Sequence, residues 1–299
     1  MATTSSAHHV FIITGANRGL GRAIAKAVAD GSEGAGETRH LLLVGRNKQA
    51  LEAAGADVIN SYTRVRIVGD VDFSEPPQSA TERVVENLKE VMSELIQQNR
   101  SSSAAEMRIR LTLVQNAGTL SNLAKTVDQY DGDEVSTYTA VNFVSFAALT
   151  AGFLAFAKTC AHADRIAIVS ISSLLAVKAF ANWGLYVAMK AARDQLLKVV
   201  AAENAADSQR IKTLNYAPGP LDGDMQAEVR ARVGDAAQRN SYAMMHREKN
   251  LVSACATAHV LCGLLDAWEF ESGAHIDVFD VAAPSSLSVA AVAAGSSGV

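Results

Sequence analysis

Short apolar runs rich in β-branched residues alternate with longer segments of helical period along nearly the whole chain, and this alternation restricts the fold more than any other feature. Residues 10–13, 41–44, 65–68, 109–114, 166–171, 211–216 and 275–278 read as strands. Between them, 20–29, 49–59, 81–96, 135–161, 185–204 and 253–267 carry apolar side chains at the spacing of a helix with a buried face. Strands that alternate with helices form βαβ units, whose right-handed crossovers make a parallel sheet covered by helices. The strand runs are continuously apolar, as strands buried on both faces must be. The expectation is an α/β, doubly wound fold, with a seven-stranded parallel sheet and helices on both faces in one domain over 10–280. Residues 1–9 read as a flexible N-terminus, 31–39 and 97–106 as surface loops, and 281–299, mostly Ala, Val, Ser and Gly, as a mobile tail.

Composition agrees with one such domain and excludes several partner classes. The 299 residues are 49% hydrophobic and 19% charged, enough apolar content for a sizeable core. Lys and Arg number 27 against 31 Asp and Glu, and a formal charge of −4 offers no field for nucleic acid or an anionic membrane. The most apolar stretch, 143–157, is shorter than the roughly 20 residues of a membrane span and is interrupted by Ser145 and Thr150. Cys160, Cys255 and Cys262 are odd in number and lack Cys-x-x-Cys spacing. Neither a disulfide framework nor a metal site is expected, and the chain reads as cytoplasmic.

The first strand runs into Thr14-Gly15-Ala16-Asn17-Arg18-Gly19-Leu20-Gly21, just ahead of the first helix. Glycines there permit a tight turn and let a pyrophosphate approach the backbone and the helix N-terminus, the arrangement of a Rossmann-type nucleotide site. After the second strand, where an NAD site places an acid for the ribose 2′-hydroxyl, the chain has Gly45-Arg46-Asn47. Arg46 and Arg18 can clamp a 2′-phosphate, which points to NADP(H). Asp70, after the third strand, is placed for a hydrogen bond to adenine.

Tyr186-Val187-Ala188-Met189-Lys190 sets a phenol and an ammonium four residues apart on one helix face. A cation beside a phenol favours the phenolate, drawing the pKa down from about 10 and making Tyr186 a usable general acid. Ser173 stands at the end of the fifth strand, thirteen residues before Tyr186.

The Gly-x-x-x-Gly-x-Gly spacing, Asn116-Ala117-Gly118 after strand four, and Ser173 with Tyr186 and Lys190 resemble the short-chain dehydrogenase/reductase family. Asn-Tyr-Ala-Pro-Gly-Pro-Leu-Asp over 215–222, Lys190-Ala191-Ala192-Arg193-Asp194 and Ser272-Gly273-Ala274-His275-Ile276-Asp277 are similar to the sepiapterin reductases within it. The resemblance implies Ser173, Tyr186, Lys190 and Asn142 as catalytic residues. It implies a cofactor site of Gly15, Asn17, Arg18, Gly19, Leu20, Gly21, Arg46, Asn47, Asp70, Val71, Asn116, Ala117, Gly118, Tyr186 and Lys190, joined by Pro218, Gly219, Leu221, Asp224 and Met225. For substrate it implies Ser173, Leu174, Tyr186, Gly219 and Asp277, the last anchoring the amino-pyrimidine end of a pterin. Such an enzyme uses NADPH to reduce a pterin side-chain ketone in tetrahydrobiopterin synthesis or salvage, and works as a homodimer. The rival readings are a broad carbonyl or diketone reductase, a reductase of the pteridine ring, and a non-catalytic NADP-sensing protein. Residues 226–250 depart from the pattern and read as a mobile cover over the substrate.

Overall fold

Each apolar run becomes a strand in one central sheet. The computed structural model describes residues 7–31, 36–99 and 107–288. Its strands are β1 (Ala7–Thr14), β2 (Glu37–Val44), β3 (Thr63–Val68), β4 (Arg108–Gln115), β5 (Ala163–Ile171), β6 (Ile211–Ala217) and β7 (Ala274–Asp277). All pairings are parallel, in the order β3-β2-β1-β4-β5-β6-β7, so the chain reverses its direction of travel across the sheet between β1 and β4. Helices α1 (Gly19–Asp30), α2 (Lys48–Ala56) and, late in the chain, one at 254–267 cover one face. Helix α3 (Pro77–Gln98) and those at 145–159 and 184–203 cover the other. In β1, Phe11 and Ile13 join the first layer while Val10 and Ile12 join the second, the two-residue period of a strand buried on both sides.

Beyond β4 come α4 (Gly132–Thr139), a π-helical turn at Ala140–Val144, and α5 (Ser145–Thr159). Together they make one helical stretch of 28 residues, longer than the apolar run in the sequence suggests. Ser145 and Thr150 do not interrupt it, because their hydroxyls donate to the carbonyls of Val141 (2.7 Å) and Phe146 (2.8 Å) one turn back. Phe146, Leu149, Phe153 and Ala157 bury its inner face against the sheet and α3, which makes it a core helix. Helices α6 (Gly184–Glu203), α7 (Asp224–Arg232), α8 (Ala236–Arg247), α9 (Ala254–Ala267), α10 (Val278–Val281) and α11 (Pro284–Leu287) complete the fold.

Three local expectations are corrected. Residues 7–9 belong to β1, where buried His9 bonds Thr112 Oγ1 through Nε2 (2.8 Å). Burial, then the nearby guanidiniums of Arg110 and Arg39, holds its imidazole pKa well below the usual value. Residues 37–39 belong to β2 rather than to a surface loop, because their charges are paired inside the sheet's N-terminal edge. Arg39 is 2% exposed, 3.3 Å from both Glu37 and Asp266, while Arg110 also binds Glu37. Residues 281–288 pack back onto the domain: Leu287 is buried and its carbonyl accepts from Ser253 N–H at 2.8 Å. Residues 1–6, 32–35, 100–106 and 289–299 lie outside the described residues.

Candidate active site

The C-terminal ends of parallel strands gather ligands where strand order reverses, and the residues picked out in the sequence meet at that edge. The turn after β1 has Gly15 at φ +66°, a conformation that disfavours any side chain. A Cβ on Gly21 would press into the Gly15 carbonyl and lie 2.7 Å from Asn116 Nδ2. Asn116 donates from that nitrogen to the carbonyls of Thr14 (3.0 Å) and Gly15 (3.3 Å), and Ala117 N–H donates to Thr14 Oγ1 (3.0 Å). The glycine turn and the Asn116-Ala117-Gly118 strand end are therefore one hydrogen-bonded unit. Thr14 joins the two, its carbonyl accepting from Asn116 and its hydroxyl from Ala117 N–H. A Cβ on Gly19 would meet nothing within 4 Å, so the backbone at the start of α1 is open to a ligand.

Around this turn, Leu20 is buried, and Asn17 Oδ1 lies 3.7 Å from where a Cβ on Gly45 would sit. Arg18 extends outward to pair with Asp224 at the start of α7, and Arg46 lies 3.8 Å from Asp72. Asp72 is held below the usual carboxyl pKa chiefly by the Ser74 N–H and hydroxyl, with Arg46 adding to it. Asn47 caps α2 by accepting from Ala50 N–H (2.9 Å). Asp70 is exposed at φ +55° with its carbonyl bound by Arg83, and buried Val71 donates to the Gly45 carbonyl (3.2 Å). After β6, Pro218 is buried and Gly219 packs near Val278 and Phe279. Leu221 bridges to Val252, and Met225 is exposed.

Ser173 follows β5 and caps a short 3₁₀ turn at Leu174–Ala176, its Oγ accepting from Leu175 N–H (3.2 Å); Leu174 itself is exposed. Tyr186 and Lys190 stand one turn apart near the start of α6, with Lys190 Nζ 5.6 Å from the centre of the Tyr186 ring. Lys190 donates to the carbonyl of Ile171, which fixes it beneath the end of β5. The pKa balance differs from the sequence expectation. Burial raises the Tyr186 phenol pKa, opposed by its hydrogen bond with Ser173 and the charge of Arg193. Lys190 yields instead: burial, then Arg193, pushes it down to about 7. Tyr186 keeps its proton, as a general acid must, and Lys190 is the group that titrates near neutrality.

Asn142 occupies the π-turn and is 4% exposed. Its Nδ2 donates to Thr119 Oγ1 (3.1 Å) and the Tyr138 carbonyl (3.0 Å), and its Oδ1 accepts from Thr119 N–H (2.9 Å). The side chain thus holds the loop after β4. Asp277 ends β7 in register with Ala217 and caps α10, accepting from Phe279 N–H (3.0 Å) while its own N–H donates to Asp280 (2.9 Å). Residues 226–250 are mainly two helices, α7 and α8. They are fastened by Trp183 Nε1 donating to Gln238 (2.8 Å) and by an apolar cluster of Leu123, Leu175, Trp183, Val229 and Val233, against which Tyr186 and Tyr242 pack.

Known proteins resemble this chain over most of its length. Residues 9–234 match the short chain dehydrogenase family. A sepiapterin reductase of Meriones unguiculatus is 36% identical over 278 residues, covering 91% of this chain and 96% of that protein. A benzil reductase ((S)-benzoin forming) of Bacillus cereus is 26% identical, covering 88% and 96%. The L-sorbose reductase of Gluconobacter frateurii, solved with NADPH and L-sorbose, superposes with a TM-score of 0.68 at 22% identity, over 92% of this chain and 96% of that one. The chain is a member of the short chain dehydrogenase family, an oxidoreductase of the sepiapterin reductase type.

Proposed function

We propose that this protein is an NADPH-dependent carbonyl reductase acting on the side-chain ketone of a pterin. The observation that carries the reading is the placement of Tyr186 one turn from Lys190 on α6, with Ser173 at the end of β5 and the glycine turn open to a ligand. A bound NADPH supplies the hydride. Tyr186 would protonate the forming alkoxide from Oη, Ser173 would hold the carbonyl oxygen, and Lys190 would bind the nicotinamide ribose. Asn142 keeps the β4 loop in place beside them. Arg18 and Arg46, each paired with an exposed or half-exposed carboxylate, carry the charge that a 2′-phosphate would bind. Asp277 can accept from the amino-pyrimidine of a pterin. A cytoplasmic homodimer belongs to the same reading.

A second reading, a reductase of small diketones, is favoured by one observation: Asp277 already has backbone partners, so its carboxylate is not left waiting for a ligand. Sepiapterin, oxidised pterins and simple diketones, each assayed with NADPH and NADH, separate the two. The expected result is highest kcat/KM for sepiapterin with NADPH; a larger value for diketones gives the second reading. Tyr186→Phe lowers kcat by roughly 10²–10⁴ while NADPH fluorescence on binding persists. Near-normal turnover would place the acid elsewhere.

A further inference from the structure

Arg193 lies one turn beyond Lys190, and none of the roles above uses it. Its side chain is 2% exposed. A guanidinium carries five N–H donors in a planar fork, so burying one demands acceptors arranged to match. Here Nε donates to the backbone carbonyl of Asn142, both terminal nitrogens lie 3.3 Å from the carbonyl of Ala117, and the plane sits 4.8 Å from the centre of the Phe146 ring. A Cβ on Gly118 would lie 3.9 Å from both terminal nitrogens. One cation therefore ties together the strand end after β4, the π-turn and the catalytic helix.

The charges around it are unequal. Lys190 and Arg193 share one face of α6, and the neighbouring carboxylate, Asp194, is engaged elsewhere: Oδ1 accepts from Ser172 Oγ (2.7 Å) and Oδ2 lies 2.6 Å from His275 Nδ1. The titratable groups facing this pocket are Tyr186, Arg193 and Asp194 from α6, Tyr138 from α4, Tyr242 from α8 and, through Asp194, His275 from β7. We infer that Arg193 is a positioning residue for the reduction: its buried guanidinium clamps the Asn142 and Ala117 carbonyls and so holds the π-turn and the strand end after β4 against the helix that carries Tyr186 and Lys190. The pKa of Arg193, lowered only to about 10 by burial, keeps it cationic across the working range. Burial first, and the charge of Arg193 second, lower Lys190 on the same helix to about 7, so the pH profile reports whether that charge is in place.

The inference rests on the catalytic roles of Tyr186 and Lys190 but not on the substrate, so any carbonyl compound the enzyme reduces serves as the probe. Arg193→Met removes the charge and keeps the bulk; Arg193→Lys keeps the charge and loses the fork. In kcat against pH, Arg193→Met is expected to move the limb near neutrality upward by about one unit or more. Arg193→Lys is expected to leave that limb in place and lower kcat about tenfold, because one ammonium cannot grip both carbonyls. A profile for Arg193→Met that superimposes on the unmodified enzyme, or full kcat in Arg193→Lys, overturns the inference. If Arg193→Met does not fold by circular dichroism, Arg193→Lys decides alone. Tyr186→Phe in the same assay separates the failures: if it stays active, the catalytic reading fails; if it is dead while Arg193→Met is normal, only this inference fails.

Discussion

At the scale of single residues, Asp277 shows how one carboxylate can serve both the fold and a ligand. It is the N-cap of α10, so Asp277→Ala loses about 0.5–2 kcal/mol of helix-end stability as well as any contact to substrate. Asp277→Asn keeps the cap, since Asn caps as well as Asp, but removes the charge. If the carboxylate receives the amino-pyrimidine, Asp277→Asn loses at least tenfold in kcat/KM for sepiapterin and much less for a diketone. Equal losses on the two substrates would make Asp277 structural. Lys190 gives a second test, through linkage between protonation and folding. Its pKa is about 7 in the fold against 10.5 for a free side chain, so the folded state disfavours the charged form. The resulting cost is complete below pH 7, shrinks as pH rises toward 10.5, and is absent above it. Cofactor-free Lys190→Met should therefore gain Tm relative to the unmodified protein at pH 6, and gain less at pH 9. A Tm difference independent of pH would contradict the shift.

Among the elements, the π-turn at 140–144 joins backbone geometry to the site. A wide turn inside a long helix re-aims the side chains around it, and here it turns Asn142 inward to the β4 loop. Helical period in the sequence predicts one uninterrupted helix over 135–161, because a single widened turn barely disturbs the apolar spacing. Asn142→Ala leaves the Thr119 N–H and hydroxyl without their buried partner and should lower stability by about 1–3 kcal/mol in urea unfolding. It should also lower kcat more than KM. An Asn142→Ala protein of unchanged stability would show that the loop finds other partners. The cover over 226–250 reads as a mobile segment from composition. In the fold it is α7 and α8, with Trp183, Val229 and Val233 burying apolar surface that the local sequence does not display as a stripe.

At the scale of the whole molecule, the stretch from α4 through α5 and helix α6 bury one face each on the sheet, yet Val135, Val144 and Val199 stay 36–43% exposed on their outer sides. Apolar side chains on two neighbouring central helices suit a two-fold, self-complementary contact. Sedimentation is expected to give a mass twice that of the chain. A monomer mass that does not change with concentration would reject the dimer. At the opposite, N-terminal edge of the sheet Glu37, Arg39, Arg110 and Asp266 form a network of paired charges.

The alternation of strand and helix, the glycine turn before α1 and the Ser173, Tyr186 and Lys190 spacing were all legible in the chain, because each rests on local periodicity or on neighbours within a few turns. That was enough for the doubly wound sheet. Long-range pairing was not legible. Arg39 reads as a loop residue until Asp266 and the Val28 carbonyl reach it from other elements of the fold, and Leu287 as tail until Ser253 meets its carbonyl. The direction of the Tyr186 pKa shift also belongs to the tertiary structure, since desolvation depends on what packs around a group rather than on what precedes it. Arg193 shows the division most plainly: its place three residues after Lys190 is written in the sequence, but only the fold brings the Ala117 and Asn142 carbonyls to it, because acceptors for a buried charge come from segments that meet only in three dimensions.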